Sequence, residues 1–220
     1  MKKKKIIDQL YEYIEKVYDF SEPFLLKELY AAYPDVKQGT IRESIRRLFE
    51  QDKLIKSKNG VYGLPNPNRI LKTAVMNSED AINKKYIKPE DDTVIGYRSG
   101  FYIANALRLT TQTSSDLVIF SNEVSKKKRT IKVKNIRVVI NQARVKVTNE
   151  NYKLLQVLDL LVDFKKFSEH SLSESEKIIC NYLNGLCLSC EEIENIVDAY
   201  PKDAQIQFYK LGGTHAFTHK

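Results

Sequence analysis

Apolar residues recur at helical spacing over most of this chain, and a central stretch switches to strict alternation. Residues 3–18 put Ile6, Ile7, Leu10, Tyr11, Ile14 and Val17 on one stripe, which predicts a first helix. Ser21-Glu22-Pro23 reads as a helix start, with Ser as N-cap and Pro tolerated in the first turn. The second helix is therefore expected over 23–32, with Phe24, Leu25, Leu29 and Tyr30 inside. Tyr33-Pro34-Asp35 ends it, and a turn through Val36-Lys37 leads into a third helix, 38–51. On that helix Ile41, Ile45, Leu48 and Phe49 share one face, while Arg42, Arg46 and Arg47 fall largely off it. Leu54-Ile55 begins an apolar strand, Asn59-Gly60 is a hairpin turn, and Val61-Tyr62-Gly63-Leu64 returns.

Pro65-Asn66-Pro67-Asn68 then punctuates the chain, which divides it into a domain over 1–65 and a second over 72–220. In the second, 77–87 and 98–109 read as helices. Residues 93–97, 117–120, 129–133 and 137–140 read as strands, with 144–147 as a further candidate. From Thr148 helical spacing resumes. Thr148-Asn149-Glu150-Asn151 caps a stripe of Leu154, Leu155, Leu158, Leu161 and Val162, followed by helices over 173–184, 190–199 and 201–210. The expected class is α+β: an N-terminal winged helix-turn-helix, then a mixed α/β core over about 77–165 and a helical end over about 170–210.

Charge sharpens the first domain's reading. The formal net charge is +8, unevenly spread: 15 basic and 10 acidic groups in 1–73, 14 and 7 in 74–148, 7 and 11 in 149–220. A helix that buries one face, shows arginines on the other and precedes a basic hairpin suits the major groove. The candidate DNA-binding residues are Lys37, Gln38, Thr40, Arg42, Arg46 and Arg47 on the helix and Lys56, Lys58 and Asn59 on the wing. Arg can pair guanine and Gln adenine with two hydrogen bonds. Glu43 and Glu50 must then point away from phosphate or contact a cytosine. The plain alternative is a solvated charged face used for protein contact. A second basic set is Lys126, Lys127, Lys128, Arg129, Lys132, Lys134, Arg137, Arg144 and Lys146, with no acidic residue among them. It reads evenly as further DNA contact or a partner-binding face, with the solvent side of a sheet as the plain alternative.

Other chemistry is thin. No apolar run approaches the roughly 20 residues of a membrane span. Asp8, Gln9 and Glu12 interrupt any signal-peptide core after Lys2–Lys5, so a cytoplasmic protein is expected. Cys180, Cys187 and Cys190 include one CxxC without a second pair or a nearby His, and read as buried reduced thiols. Asp159 and Asp163 share a helix face and read as exposed. There is no phosphate loop, no GxSxG, no HExxH and no paired-acid motif, so neither catalysis nor a cofactor or metal is expected. An enzymatic alternative would place nucleic-acid chemistry on Asp91, Asp92 and Glu123 beside the basic strands.

The central segment carries a family resemblance. Gly96-Tyr97-Arg98-Ser99-Gly100, then Asn105-Ala106-Leu107-Arg108-Leu109-Thr110-Thr111-Gln112-Thr113, then Phe120-Ser121-Asn122 resemble the "GY.SG…N.LGLTTQ…TN" pattern of AbiEi-type antitoxins. Residues 147–151 and 155–159 resemble that family's downstream helix, and Gly60-Val61-Tyr62-Gly63-Leu64-Pro65 its first domain, so the likeness spans about 5–165. Arg108 stands where the family has Gly and Ser121 where Thr is common; residues 170–210 lie outside the likeness. The resemblance implies an antitoxin of a bacterial type IV toxin–antitoxin, abortive-infection system. Its winged helix would bind inverted repeats in double-stranded promoter DNA and repress its own operon. Its C-terminal domain would counter an AbiEii-like nucleotidyltransferase toxin, without a stable complex. The residues alone also fit an ordinary winged-helix regulator whose second domain senses a ligand or partner.

Overall fold

A computed structural model describes residues 4–57, 60–68, 76–90, 92–124, 126–133 and 136–213. It is mixed α+β with two separate sheets and divides into compact units over 1–85 and 86–220.

In the first unit α1 (Ile6–Val17), β1 (Phe24–Leu25), α2 (Leu26–Ala32), α3 (Gln38–Glu50), β2 (Ile55–Lys56) and β3 (Val61–Gly63) follow in order. The three strands form an antiparallel sheet in the order β1-β3-β2, pairing Phe24 with Tyr62 and Ile55 with Gly63. Helical spacing decides what is buried: Leu10 and Ile14 from α1, Leu29 from α2, and Ile41, Ile45 and Leu48 from α3 close over Phe24, Tyr62 and Leu64. Three expectations fail locally. Phe24 and Leu25 are strand, and Ser21 is no N-cap but sits at φ 67. The start of α2 is held instead by Glu28, whose carboxylate accepts the Leu25 backbone N–H at 2.8 Å. Phe49, expected inside, is 41% exposed because α3 turns it away from the core.

Helix α4 (Ser78–Tyr86) follows the Pro65–Asn68 stretch, and most of it belongs to the first unit. Met76 and Ala81 pack on Leu25, Ile55 and Val61, and Lys84 pairs with Glu28 at 2.7 Å with both side chains largely buried.

The second unit holds β4 (Gly96–Ser99), α5 (Phe101–Ala106), β5 (Asp116–Ser121), β6 (Lys128–Val133) and β7 (Ile136–Gln142), then α6 (Tyr152–Val162), α7 (Phe164–Phe167), α8 (Leu172–Leu183), α9 (Cys190–Asp198) and α10 (Lys202–Lys210). Sheet order is β4-β5-β7-β6, with β5 and β7 parallel and the outer pairs antiparallel. Leu154, Leu155, Val157, Leu158, Leu160 and Leu161 are all fully buried, so α6 is the central core helix, covered on every side as a helix this apolar must be. Residues 144–147 form no strand; that segment is instead held by Asn122, whose side chain bonds both the N–H and C=O of Val147 at 2.9 Å. Helices α8 and α9 start on reciprocal caps, Ser171 with Glu174 and Ser189 with Glu192. No described helix is long and apolar enough to cross a membrane.

Candidate nucleic-acid interface

Helix α3 presents the expected residues, in two electrically distinct groups. Lys37, Gln38, Gly39 and Thr40 at its N-terminal end are exposed, as are Arg42, Arg46 and Arg47. Its first turn carries no acidic residue and no side-chain cap, so the positive end of the helix dipole faces solvent. Further along, the arginines are already occupied. Arg46 donates from Nε and Nη2 to the two Glu43 oxygens at 2.8 and 2.7 Å and from Nη1 to Glu50, while Arg47 donates from Nε to Glu43 at 2.9 Å. These hydrogen bonds hold the Glu43 carboxyl down at about 2. Glu43 and Glu50 therefore do not simply point away; they share the exposed face and pair its arginines. On the hairpin side Lys56 is exposed, with its ammonium 5.4 Å from the Tyr62 ring and 6.0 Å from that of Phe49. Gly60 at φ 74 closes the turn, bonding back to Ser57. Lys58 and Asn59 lie outside the described residues.

The second basic set is not one surface. Strand register puts Lys128, Lys132 and Arg137 on one sheet face and Arg129 on the other. Arg137 lies 3.6 Å from Asp116, and Arg144 turns toward Asp159. Lys126, Lys127 and Lys146 are exposed, and Lys134 lies outside the described residues. Because β6 is an edge strand, Lys128 and Lys132 also protect it from pairing with another chain.

The block of residues 96–122 is built into the scaffold. A Cβ on Gly96 would stand 2.1 Å from the Tyr86 carbonyl oxygen, so only glycine fits. Asn105 donates to the Phe101 and Gln112 carbonyls at 2.8 and 2.6 Å, and the Thr110 hydroxyl donates to Glu169 at 2.7 Å.

Comparison with protein-family models and with curated proteins finds no match.

Periodicity misplaced Asp159, which is buried. The Tyr97 hydroxyl donates to it at 2.5 Å, Arg144 Nε stands 3.9 Å away, and the Arg144 guanidinium lies 5.3 Å over the Tyr200 ring. Burial pushes its carboxyl up to about 7, against the pull of Tyr97 and Arg144. Asp163 is exposed as expected. Of the acids in the enzymatic alternative, Asp92 and Glu123 are exposed and Asp91 lies outside the described residues. Cys187 is exposed and Cys180 and Cys190 are half-buried, so the reading of three buried thiols holds only in part. Among the described residues no three His, Cys, Asp or Glu side chains group to hold a metal. A cleft of about 700 Å³ opens between α7, the start of α8 and α10, edged by Lys165, Lys166, His170 and Lys210 over Phe164 and Leu172. None of the sequence-predicted site residues lines it.

Proposed function

We propose that the first unit is a winged helix-turn-helix that binds operator DNA, and that the chain is an antitoxin repressing its own operon. The observation that carries DNA binding is the β1-β3-β2 sheet seated behind α3, whose outer face offers Lys37, Gln38, Thr40 and Arg42 beside a basic hairpin. That order of helix, strand, two helices and a hairpin is the one in which a recognition helix stands clear of the core. Arg42, with no acidic partner on the helix, is assigned to base or phosphate contact; Arg46 and Arg47 reach DNA only as a pair buttressed by Glu43. The antitoxin role is supported by the resemblance of residues 96–122 and would be exercised without catalysis, against a nucleotidyltransferase toxin.

The DNA arm is tested by mobility shift on the promoter of the chain's own operon. Arg42→Ala is expected to weaken binding about 5- to 150-fold, the range of one good base contact. Arg46→Ala/Arg47→Ala should abolish the shift while leaving the fold intact, since it uncovers Glu43 and Glu50 toward phosphate. Unchanged binding by either variant would overturn the assignment of α3. The antitoxin arm is tested by growth: expressing the chain should rescue cells poisoned by the nucleotidyltransferase encoded beside it. The cleft at α7–α10 favours a second reading, a regulator that senses a small ligand; failure of rescue with operator binding retained would select it.

A further inference from the structure

Four elements of the second unit bring three tyrosines and two cations to one surface. Tyr102 on α5 is 48% exposed, and the Arg98 guanidinium from β4 lies 4.8 Å from its ring centre. Tyr182 on α8 is half-buried, with the Lys153 ammonium of α6 at 5.6 Å from its ring. Tyr152, at the start of α6, is also half-buried. Gln156 ties the group together: its side chain donates to the Arg98 carbonyl at 2.9 Å and accepts the Tyr182 hydroxyl at 2.5 Å. The Tyr102 and Tyr152 hydroxyls stand close enough to Tyr182 to add to the burial that raises its phenol to about 12. Ile178, one turn before Tyr182 and 37% exposed, extends the apolar ground.

We propose that this surface binds single-stranded nucleic acid, with bases stacking on Tyr102 and its neighbours and phosphates meeting Arg98 and Lys153. A half-exposed ring with a guanidinium 4.8 Å from its centre is a stacking platform, and its cation is placed for the backbone of the same strand. Both charged members of the cluster are cations, which matches a polyanion. Aromatic rings at this density distinguish a base-bearing polyanion from one that carries charge alone. Gln156 holds the platform rigid by fixing Tyr182 and the Arg98 backbone at once. The site shares no residue with α3 and does not depend on the operator reading.

The chain contains no tryptophan, so Tyr102→Trp in the full-length protein is a lone fluorescent reporter of stacking. Titration with a twelve-nucleotide oligouridylate or oligothymidylate should quench it, the stronger of the two naming the sugar preferred. Inorganic polyphosphate and polyglutamate should not. With labelled oligonucleotide and wild-type protein, Tyr102→Ala should weaken binding about 5- to 150-fold, the range for loss of one stacked base. Lys153→Gln should lower the salt slope by roughly 0.7, as expected for one phosphate contact on a single strand. Lys37→Ala/Arg42→Ala should leave single-strand binding unchanged. Equal quenching by polyphosphate or polyglutamate, full binding by Tyr102→Ala, or loss of binding in the α3 variant would each overturn the proposal. The tryptophan signal stands even where the alanine variant is unstable.

Discussion

Arg108 sits at φ 57, two residues beyond the end of α5 and one beyond its C-cap Leu107. Its N–H bonds to Asn105 O and the Leu109 N–H to Ala104 O, the paired bonds of a Schellman ending, with buried Leu109 as the apolar contact that follows. A side chain in that left-handed conformation costs about 1 kcal/mol. Glycine is thus what the backbone favours at this position, and Arg108→Gly is expected to raise unfolding free energy by about 1 kcal/mol in a urea titration. A lower midpoint would mean that the arginine holds the 108–112 loop by contacts that outweigh its strain. Asp159 makes a pH prediction of definite sign. Its carboxyl titrates near the ordinary aspartate value of 3.8 when unfolded and at about 7 when folded, so the folded state keeps a proton that the unfolded chain gives up. Unfolding free energy from this group therefore falls as pH rises from about 4 to about 7, and stays down above. Thermal midpoints of the wild type should drop between pH 5 and pH 8, and Asp159→Asn should flatten that drop.

At the scale of elements, α3 carries its own counter-charge. Glu43 lies three and four residues before Arg46 and Arg47, and Glu50 four after Arg46, so each pair meets on one helical face. Exposed pairs of this kind add little stability, so their effect is on how the arginines are presented. Glu43→Gln should release both guanidinium groups to phosphate. DNA affinity is then expected to depend more steeply on salt, by about 1 to 2 in the slope of log K against log salt. Affinity for unrelated DNA should rise more than affinity for the operator. An unchanged slope would show that Arg46 and Arg47 already reach phosphate past their carboxylates. The spacing that makes these pairs was legible in the sequence, as were most of the buried stripes of α1, α3 and α6, because one helix supplies the whole signal. Strand β1 was not legible: Phe24 and Leu25 are adjacent apolar residues that fit a helix start, and only pairing with Val61 and Tyr62 makes them strand. Asp159 was misread because Tyr97, Arg144 and Tyr200 reach it from elsewhere in the chain. Tyr102, Tyr152 and Tyr182 stayed invisible for the same reason, their nearness being made by three separate helices.

At the scale of the whole molecule, each unit has its own apolar core, and the charge balance changes sign along the chain. The residues proposed to contact operator DNA stand on the exposed face of α3 in the first unit, whereas the block resembling antitoxins is wired into the second through Gly96, Asn105, Thr110 and Asn122. Repression and neutralisation should therefore separate genetically. Lys37→Ala/Arg42→Ala removes two exposed charges from α3 without touching either core, so folding and the second unit should survive. In cells carrying a reporter behind the operon's promoter, this variant is expected to lose repression yet still rescue growth against the nucleotidyltransferase toxin. Asn122→Ala makes the opposite case, because it frees the Val147 backbone that its side chain holds at both N–H and C=O. Leaving those two groups unpaired costs on the order of 2–6 kcal/mol, so rescue should fail while the first unit still shifts operator DNA. Loss of both functions in the α3 variant, at unchanged protein level, would show that neutralisation itself runs through DNA.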